Sequence, residues 1–197
     1  MVSSADIAAW VGAFIWPLFR ILGMFSIAPI LGAGIVPVRV RLVLALAVTM
    51  VVVPTLPAPE LAPLDVPRSI LLAVGQVLIG LAMGFVLRMV FAALELGAQV
   101  IALQMGLGFA ELLDPQGGAQ VPTLSYFYMM MGTLVFLALD GHHLVLQLLF
   151  DSFRTLPVDA FWFGSDAVWA LVSWGSEMFR GAVLVALSAT VALVSVN

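Results

Sequence analysis

Five charged side chains stand inside otherwise apolar stretches of this 197-residue chain, and they are the first candidates for chemistry: Arg20, Arg88, Glu95, Glu177 and Arg180. Ionisable groups at membrane depth commonly move protons or ions, or pair with one another. Glu177 and Arg180 are three positions apart, so they can pair on one helix face. Because no second carboxylate shares an apolar stretch with Glu95 or Glu177, the residues favour buried structural charges over a proton relay.

The other motifs that could carry catalysis or metal binding are weak. Gly106 and Gly108 look like the start of a nucleotide-binding loop, but Glu111 stands at the third glycine position and no strand precedes them. His142 and His143 are adjacent, whereas metal-binding histidines on helices are three or four positions apart, so we expect the two rings to face different sides. The sequence has no cysteine and no GxSxG, HExxH or Walker motif. It predicts a protein without catalytic residues, metal or cofactor.

Composition limits the class of protein further. Hydrophobic residues make up 63% of the chain, charged residues make up 9%, and the mean hydropathy is +1.20. Soluble domains carry about 25% charged residues, so this chain has too little polar surface to cover a water-soluble globule. Its seven cations are scattered arginines, which argues against nucleic-acid binding. We therefore predict an all-α membrane protein, or a subunit buried in a membrane-embedded assembly.

Hydropathy and helix breakers divide the chain into six apolar helical segments within a single predicted domain. Ser69–Leu87 is the clearest span, with 19 uncharged residues where a bilayer needs about 20. Arg39 and Arg41 mark the first connection as the cytoplasmic one. The prolines of 54–67 and the turn residues of 111–122 predict connections without helix, and Asp140 and Gly141 predict a break after the fifth segment. The six segments are Ile7–Ile30, Leu42–Leu56, Ser69–Leu87, Met89–Ala110, Thr123–Leu139 and Ala167–Val196.

Small side chains recur at helical spacing in the third and fourth segments. Gly80 and Gly84 form a GxxxG pair, and a ladder at every fourth position follows. Such stripes let helix backbones approach closely where lipid gives no hydrophobic drive to pair. The residues leave open whether the facing helix belongs to this chain or to another subunit. The ladder consists of Ala98, Ala102, Gly106 and Ala110.

Met105–Gln120 joins glycines, one aromatic side chain and an acidic turn at the end of an apolar segment. Irregular backbone at membrane depth is tolerated inside protein or beside a water-filled cavity. A mobile stopper and a surface loop between spans are both consistent with these residues.

The chain resembles the FliR/SctT family of the type III secretion export apparatus. The matching segments follow the family's order and extend over nearly the whole chain. The resemblance implies membrane-associated kinked helical hairpins that pack into a helical hetero-oligomeric export gate. Family members continue beyond the position of Asn197, so it also implies a single domain over 1–197 that is truncated at its C-terminus. The matching segments are Phe14–Pro37, Val38–Leu42, Gly75–Gly84, Gly97–Pro115 and Leu137–Phe153.

The same resemblance implies function and partners. One copy joins several copies of FliP and FliQ, contacts FlhB and FlhA, and helps conduct unfolded flagellar proteins across the bacterial inner membrane at the flagellar basal body. It gives the small-residue ladder an intersubunit role. It also implies a pore plug at 106–120, although Leu112 stands where a second aromatic is common. The implied plug residues are Gly106, Gly108, Phe109, Leu112, Asp114, Pro115, Gly117 and Gly118.

Two alternatives stay open. A virulence-type export-gate subunit shares much of the same sequence pattern. A proton-coupled secondary transporter with Glu95 or Glu177 as proton carrier belongs to a different class. Transporters often contain internal repeats, and this sequence shows none.

Overall fold

A computed structural model describes residues 4–32, 34, 36–56, 66–106, 123–158 and 164–196 of the chain. These residues form α-helices and one short 3₁₀ turn, Val53–Thr55, and contain no strand, which confirms the all-α prediction. The helices are α1 (Ser4–Ile27), α2 (Val38–Val52), α3 (Val66–Gln104), α4 (Thr123–Ala138), α5 (Gly141–Thr155) and α6 (Ser165–Val196).

The third and fourth predicted segments are one helix. α3 runs unbroken for 39 residues through Arg88, which hydropathy had placed between two segments. Arginine is a good helix former and no proline follows Pro67 within α3, so a charge interrupts the apolar pattern without interrupting the helix.

The helix α5 was not among the six predicted segments. Its sequence mixes apolar and polar residues, and its inward side chains include Leu149 and Phe153, which are buried. The spacing of the apolar residues reveals an amphipathic helix of this kind. The mean hydropathy over a sequence window does not, because the polar residues lower that mean. The predicted break before it is confirmed, because Asp140 adopts φ 55° between α4 and α5. Aspartate tolerates this left-handed region better than most residues.

Three helical stretches of the described chain are long and apolar enough to cross a membrane: Val38–Thr55, Pro67–Gln104 and Ser165–Ala192. The number rises to four if the bent pair formed by Leu124–Ala138 and Gly141–Thr155 is a single broken span. Only 11 to 28% of the three stretches is buried inside the chain, so most of their apolar surface is available to lipid or to other subunits.

The chain divides into two compact units. Unit 1 comprises Met1–Arg88 and His142–Trp169, and unit 2 comprises Met89–Gly141 and Ala170–Asn197. Unit 1 has a core built from α1, α2 and α5. That core consists of Ile21, Met24, Phe25, Ala45, Val52, Leu149 and Phe153. The prediction of one folding domain stays a prediction, because two packing units can still unfold together.

Glycines set the contact between α1 and α3 inside unit 1. A Cβ atom on Gly84 would lie 2.6 Å from the carbonyl oxygen of Met24, and a Cβ on Gly80 would collide with the carbonyl oxygen of Arg20. From the other side, a Cβ on Gly23 would lie 2.6 Å from the carbonyl oxygen of Val77. Gly80 faces Arg20, and Gly84, four residues later on α3, faces Met24, four residues later on α1, so α1 and α3 run parallel. The helix that faces Gly80 and Gly84 therefore belongs to the same chain.

We predict that Gly80→Ala destabilises the chain, whereas Gly75→Ala on the same helix does not. The new methyl group at position 80 meets backbone, which cannot rotate away, and overpacking of this kind costs about 1–3 kcal/mol. Position 75 has open space around its Cβ, and alanine there gains roughly 0.5–1 kcal/mol of helix propensity. Thermal unfolding of both variants in mild detergent measures the difference. Equal melting temperatures would contradict the close contact of α1 with α3.

Candidate functional site

Only the first residue of the plug predicted from the family resemblance lies within the described residues. Gly106 has φ 75°, in the left-handed region that favours glycine, and its N–H donates to the carbonyl oxygen of Leu103 at 3.1 Å. It therefore stands at the turn that ends α3. The other predicted plug residues and the last residue of the small-residue ladder lie outside the described residues: Gly108, Phe109, Ala110, Leu112, Asp114, Pro115, Gly117 and Gly118.

The best-defined polar site in unit 1 is built around Arg20. Its side chain is completely buried. Nε donates to Oε1 of Gln76 at 2.8 Å, Nη1 donates to the carbonyl oxygen of Ser152 at 2.9 Å and to its Oγ at 3.2 Å, and Nη2 donates to the carbonyl oxygen of Leu156 at 2.8 Å. The guanidinium carbon lies 4.3 Å from the centroid of the Phe153 ring. We call these five residues the arginine node.

The acceptors in the arginine node are all neutral. Ser152 lies in the last turn of α5 and Leu156 directly follows that helix. The final carbonyl groups of a helix lack partners within it and carry the negative end of its dipole. The planar guanidinium presents donors in a fixed fork and stays protonated at every physiological pH. Arg20 thus caps the C-terminal end of α5, and the helix end partly offsets the buried positive charge.

Gln76 connects the node to the chain that follows α5. Its Oε1 accepts from Arg20, and its Nε2 donates to the carbonyl oxygen of Val158 at 3.3 Å. Sequence reasoning did not select Gln76 or Ser152. The available signal was that Gln76 is the one amide side chain in the uncharged segment Ser69–Leu87, and a buried amide needs polar partners.

Of the five charges predicted to be buried, only Arg20 is buried within the chain. Arg88, Glu95, Glu177 and Arg180 are exposed on this chain, so their burial against lipid or another subunit stays a prediction. One side of each long apolar helix faces outward, and the sequence pattern does not reveal which side a charge occupies.

Glu177 and Arg180 form the ion pair that their spacing allows, at 3.7 Å, with 58% and 73% of their side chains exposed. Exposed pairs of this kind contribute about 0–1 kcal/mol. A proton carrier needs a carboxylate on a buried path, and Glu95 and Glu177 both face outward. The backbone carbonyl oxygen of Glu95 accepts a hydrogen bond from Oγ of Ser125 at 3.5 Å.

Small residues also pack α3 against α6 within unit 2. A Cβ on Gly97 would lie 2.9 Å from Cγ1 of Val185 and 3.2 Å from the carbonyl oxygen of Ala182. Ala98 is fully buried, whereas Ala102 is half-buried. Part of the small-residue ladder therefore packs inside the chain. Beside it, an apolar groove of about 320 Å³ runs between the two helices and ends at Gln104 and Thr190, whose side chains share a hydrogen bond of 2.5 Å.

The adjacent histidines lie together. The ring centroids of His142 and His143 are 4.1 Å apart, and both residues are exposed. The expectation that the rings face different sides is wrong, because exposed side chains in the first turn of α5 can adopt rotamers that bring the two rings together.

We predict that Arg20 and Gln76 are energetically coupled. Gln76→Leu removes one acceptor from a buried cation, and a buried group left without its partner costs about 1–3 kcal/mol. Arg20→Met leaves several acceptors unpaired and costs more. In the absence of the Arg20 guanidinium, Gln76→Leu no longer removes an acceptor from a buried cation. The free energy of unfolding of the double variant should therefore fall by less than the sum of the two single decreases, with a difference of roughly 0.5–3 kcal/mol.

Unfolding of the four proteins in mild detergent measures this cycle. Arg154→Gln is the matched control, since Arg154 is an exposed arginine 3.7 Å from Asp151 in the same unit. Its loss should be about 0–1 kcal/mol. Strictly additive losses for Arg20 and Gln76 would contradict the node.

The chain matches the family model described as bacterial export proteins, family 1, over residues 11–197. It is 38% identical over 196 residues to the flagellar biosynthetic protein FliR of Escherichia coli, covering 100% of this chain and 75% of that relative. It is 35% identical over 195 residues to FliR of Pectobacterium carotovorum, covering 99% and 74%. For FliR of Bacillus subtilis the identity is 33% over 147 residues, covering 75% and 56%. These matches confirm the resemblance noted in the sequence, and the chain belongs to the bacterial export proteins of family 1, the family of the flagellar biosynthetic protein FliR.

Proposed function

We propose that this chain is a structural, non-catalytic subunit of a flagellar type III export gate in the bacterial inner membrane, within the flagellar basal body. It helps conduct unfolded flagellar proteins through that membrane. The observation that carries the proposal is the 38% identity to FliR of Escherichia coli across the whole chain. The relatives are named as flagellar proteins, which favours flagellar over virulence-type export.

Its partners in this proposal are several copies each of FliP and FliQ around one copy of this chain, with FlhB and FlhA of the same apparatus. The exposed apolar surface supports partners of this kind. On α4, for example, Tyr126, Phe127, Met130 and Val135 are each more than half exposed. A contiguous apolar surface on a protein marks a contact with lipid or with other proteins.

Within the gate, the segment 106–120 closes the pore as a plug. Support comes from the family likeness and from Gly106, whose positive φ stands at the turn that ends α3, where the plug begins. Phe109 supplies the apolar side chain of the closure, and the glycines on either side let the backbone change direction when a substrate passes.

A chimera tests the export role. This chain replaces the matching part of FliR in Escherichia coli, so that the host supplies the remaining quarter of the relative. We expect the chimera to restore flagellin secretion and swimming in a strain that lacks FliR. Arg154→Gln in the chimera should preserve secretion, because it changes one exposed ion pair. A chimera that accumulates in the membrane and restores no secretion would contradict the proposal.

Deleting Glu111–Gln120 tests the plug. The complex should still assemble, since the deletion leaves the described helices intact, but it should leak ions and small solutes across the membrane. A glycine-serine replacement of the proline-rich connection 57–63 is the control, and it should stay tight. Conductance of the purified complexes in planar bilayers distinguishes the two. An assembled deletion variant that conducts no more than the parent complex would exclude a plug in this segment.

A further inference from the structure

A pair of polar side chains joins the last residue of α3 to α6 inside unit 2. The hydroxyl group of Thr190 is shared between Oε1 of Gln104 at 2.5 Å and the carbonyl oxygen of Ala186 at 2.7 Å. Gln104 is the final residue of α3, and Gly106 follows two positions later with φ 75°. We call Gln104 and Thr190 the terminal pair.

The contact between α3 and α6 that precedes the terminal pair is apolar. A Cβ on Gly97 would lie 2.9 Å from Cγ1 of Val185, and the groove beside this contact is lined by apolar residues until it ends at the terminal pair. Apolar surfaces can slide along one another at little cost. A hydrogen bond at the end of the contact fixes the position of one helix along the other, because sliding would break it.

Beyond Ile101, which is 4% exposed, the side chains at the end of α3 face outward. Leu103 and Met105 are exposed by 68% and 52%. The backbone N–H of Met105 donates to the carbonyl oxygen of Ile101 at 3.0 Å, and that of Gly106 donates to the carbonyl oxygen of Leu103 at 3.1 Å. Bonds of this kind open readily, since helix ends fray. A side-chain contact from another helix therefore has a large influence on whether this last turn stays wound.

We propose that Thr190 is a positioning residue for closure of the gate. By binding Gln104 it keeps the last turn of α3 wound, and it thereby fixes the point at which the chain leaves the helix. The inference rests on the proposed function, because the segment that leaves at Gly106 is the proposed plug. A contact present in only one of two states favours that state, and a neutral hydrogen bond shifts such an equilibrium by roughly two- to twelvefold.

Amide hydrogen exchange of the assembled complex tests the terminal pair itself. Thr190→Val keeps the shape of the side chain and removes the hydroxyl group, so exchange at Met105 and Gly106 should become roughly two- to twelvefold faster. Thr190→Ser restores a hydroxyl group and should exchange at the parent rate. Gln104→Met removes the same bond from α3 and replaces Thr190→Val if that variant does not assemble.

Thr133→Val is the matched control. Thr133 is half-buried in unit 2 like Thr190, and its hydroxyl group donates within α4 to the carbonyl oxygen of Met129 at 2.8 Å. The same substitution there should leave exchange at Met105 and Gly106 unchanged. Parent-like exchange at these two amides in Thr190→Val would overturn the inference, whatever the plug does.

Conductance in planar bilayers links the terminal pair to closure. The Thr190→Val complex should conduct more than the parent and less than the complex that lacks Glu111–Gln120, and Thr133→Val should stay tight. In the deletion variant, Thr190→Val should add no conductance, because the segment that it positions is absent. Faster exchange with parent conductance would overturn the positioning role and leave the plug standing. A deletion variant that stays tight would overturn the plug, and the positioning role with it.

Added conductance from Thr190→Val in the deletion variant would show that Thr190 acts elsewhere in the gate, and this result would also overturn the inference.

Discussion

Unit 1 depends on how a fully buried guanidinium obtains its hydrogen bonds. Arg20 finds an amide on α3 and two carbonyl groups at the end of α5, so three helices must meet at one point with the correct register. The backbone of the same residue faces Gly80, where any side chain would collide. The glycines bring α1 and α3 close enough for Gln76 to reach the guanidinium, and packing and polar contacts therefore specify the same arrangement.

The outer surface follows a different constraint. The long helices expose apolar side chains along most of their length, and their backbone groups are satisfied within each helix, as a lipid environment requires. So much exposed apolar surface requires lipid or other proteins to cover it. Its membership in the bacterial export proteins of family 1 fits a surface that lipid and other subunits cover.

Periodicity and turn residues were enough to predict the helical class, the break at Asp140 and the importance of Gly80 and Gly84. They could not show that α3 continues through Arg88, because hydropathy registers a charge as an interruption although the helix backbone does not. The partners of Arg20 were also out of reach, since two of them are backbone carbonyl groups that every residue carries. The plug came from the family resemblance, and only Gly106 of that set lies in the part of the chain described by the structure.

We propose that this chain is one subunit of a larger export assembly. The most direct test is its native mass after extraction in mild detergent, when it is produced alone and together with FliP- and FliQ-type partners. We expect a discrete complex that contains one copy of this chain and several copies of each partner. A stable monomer or homodimer that ignores both partners would contradict it.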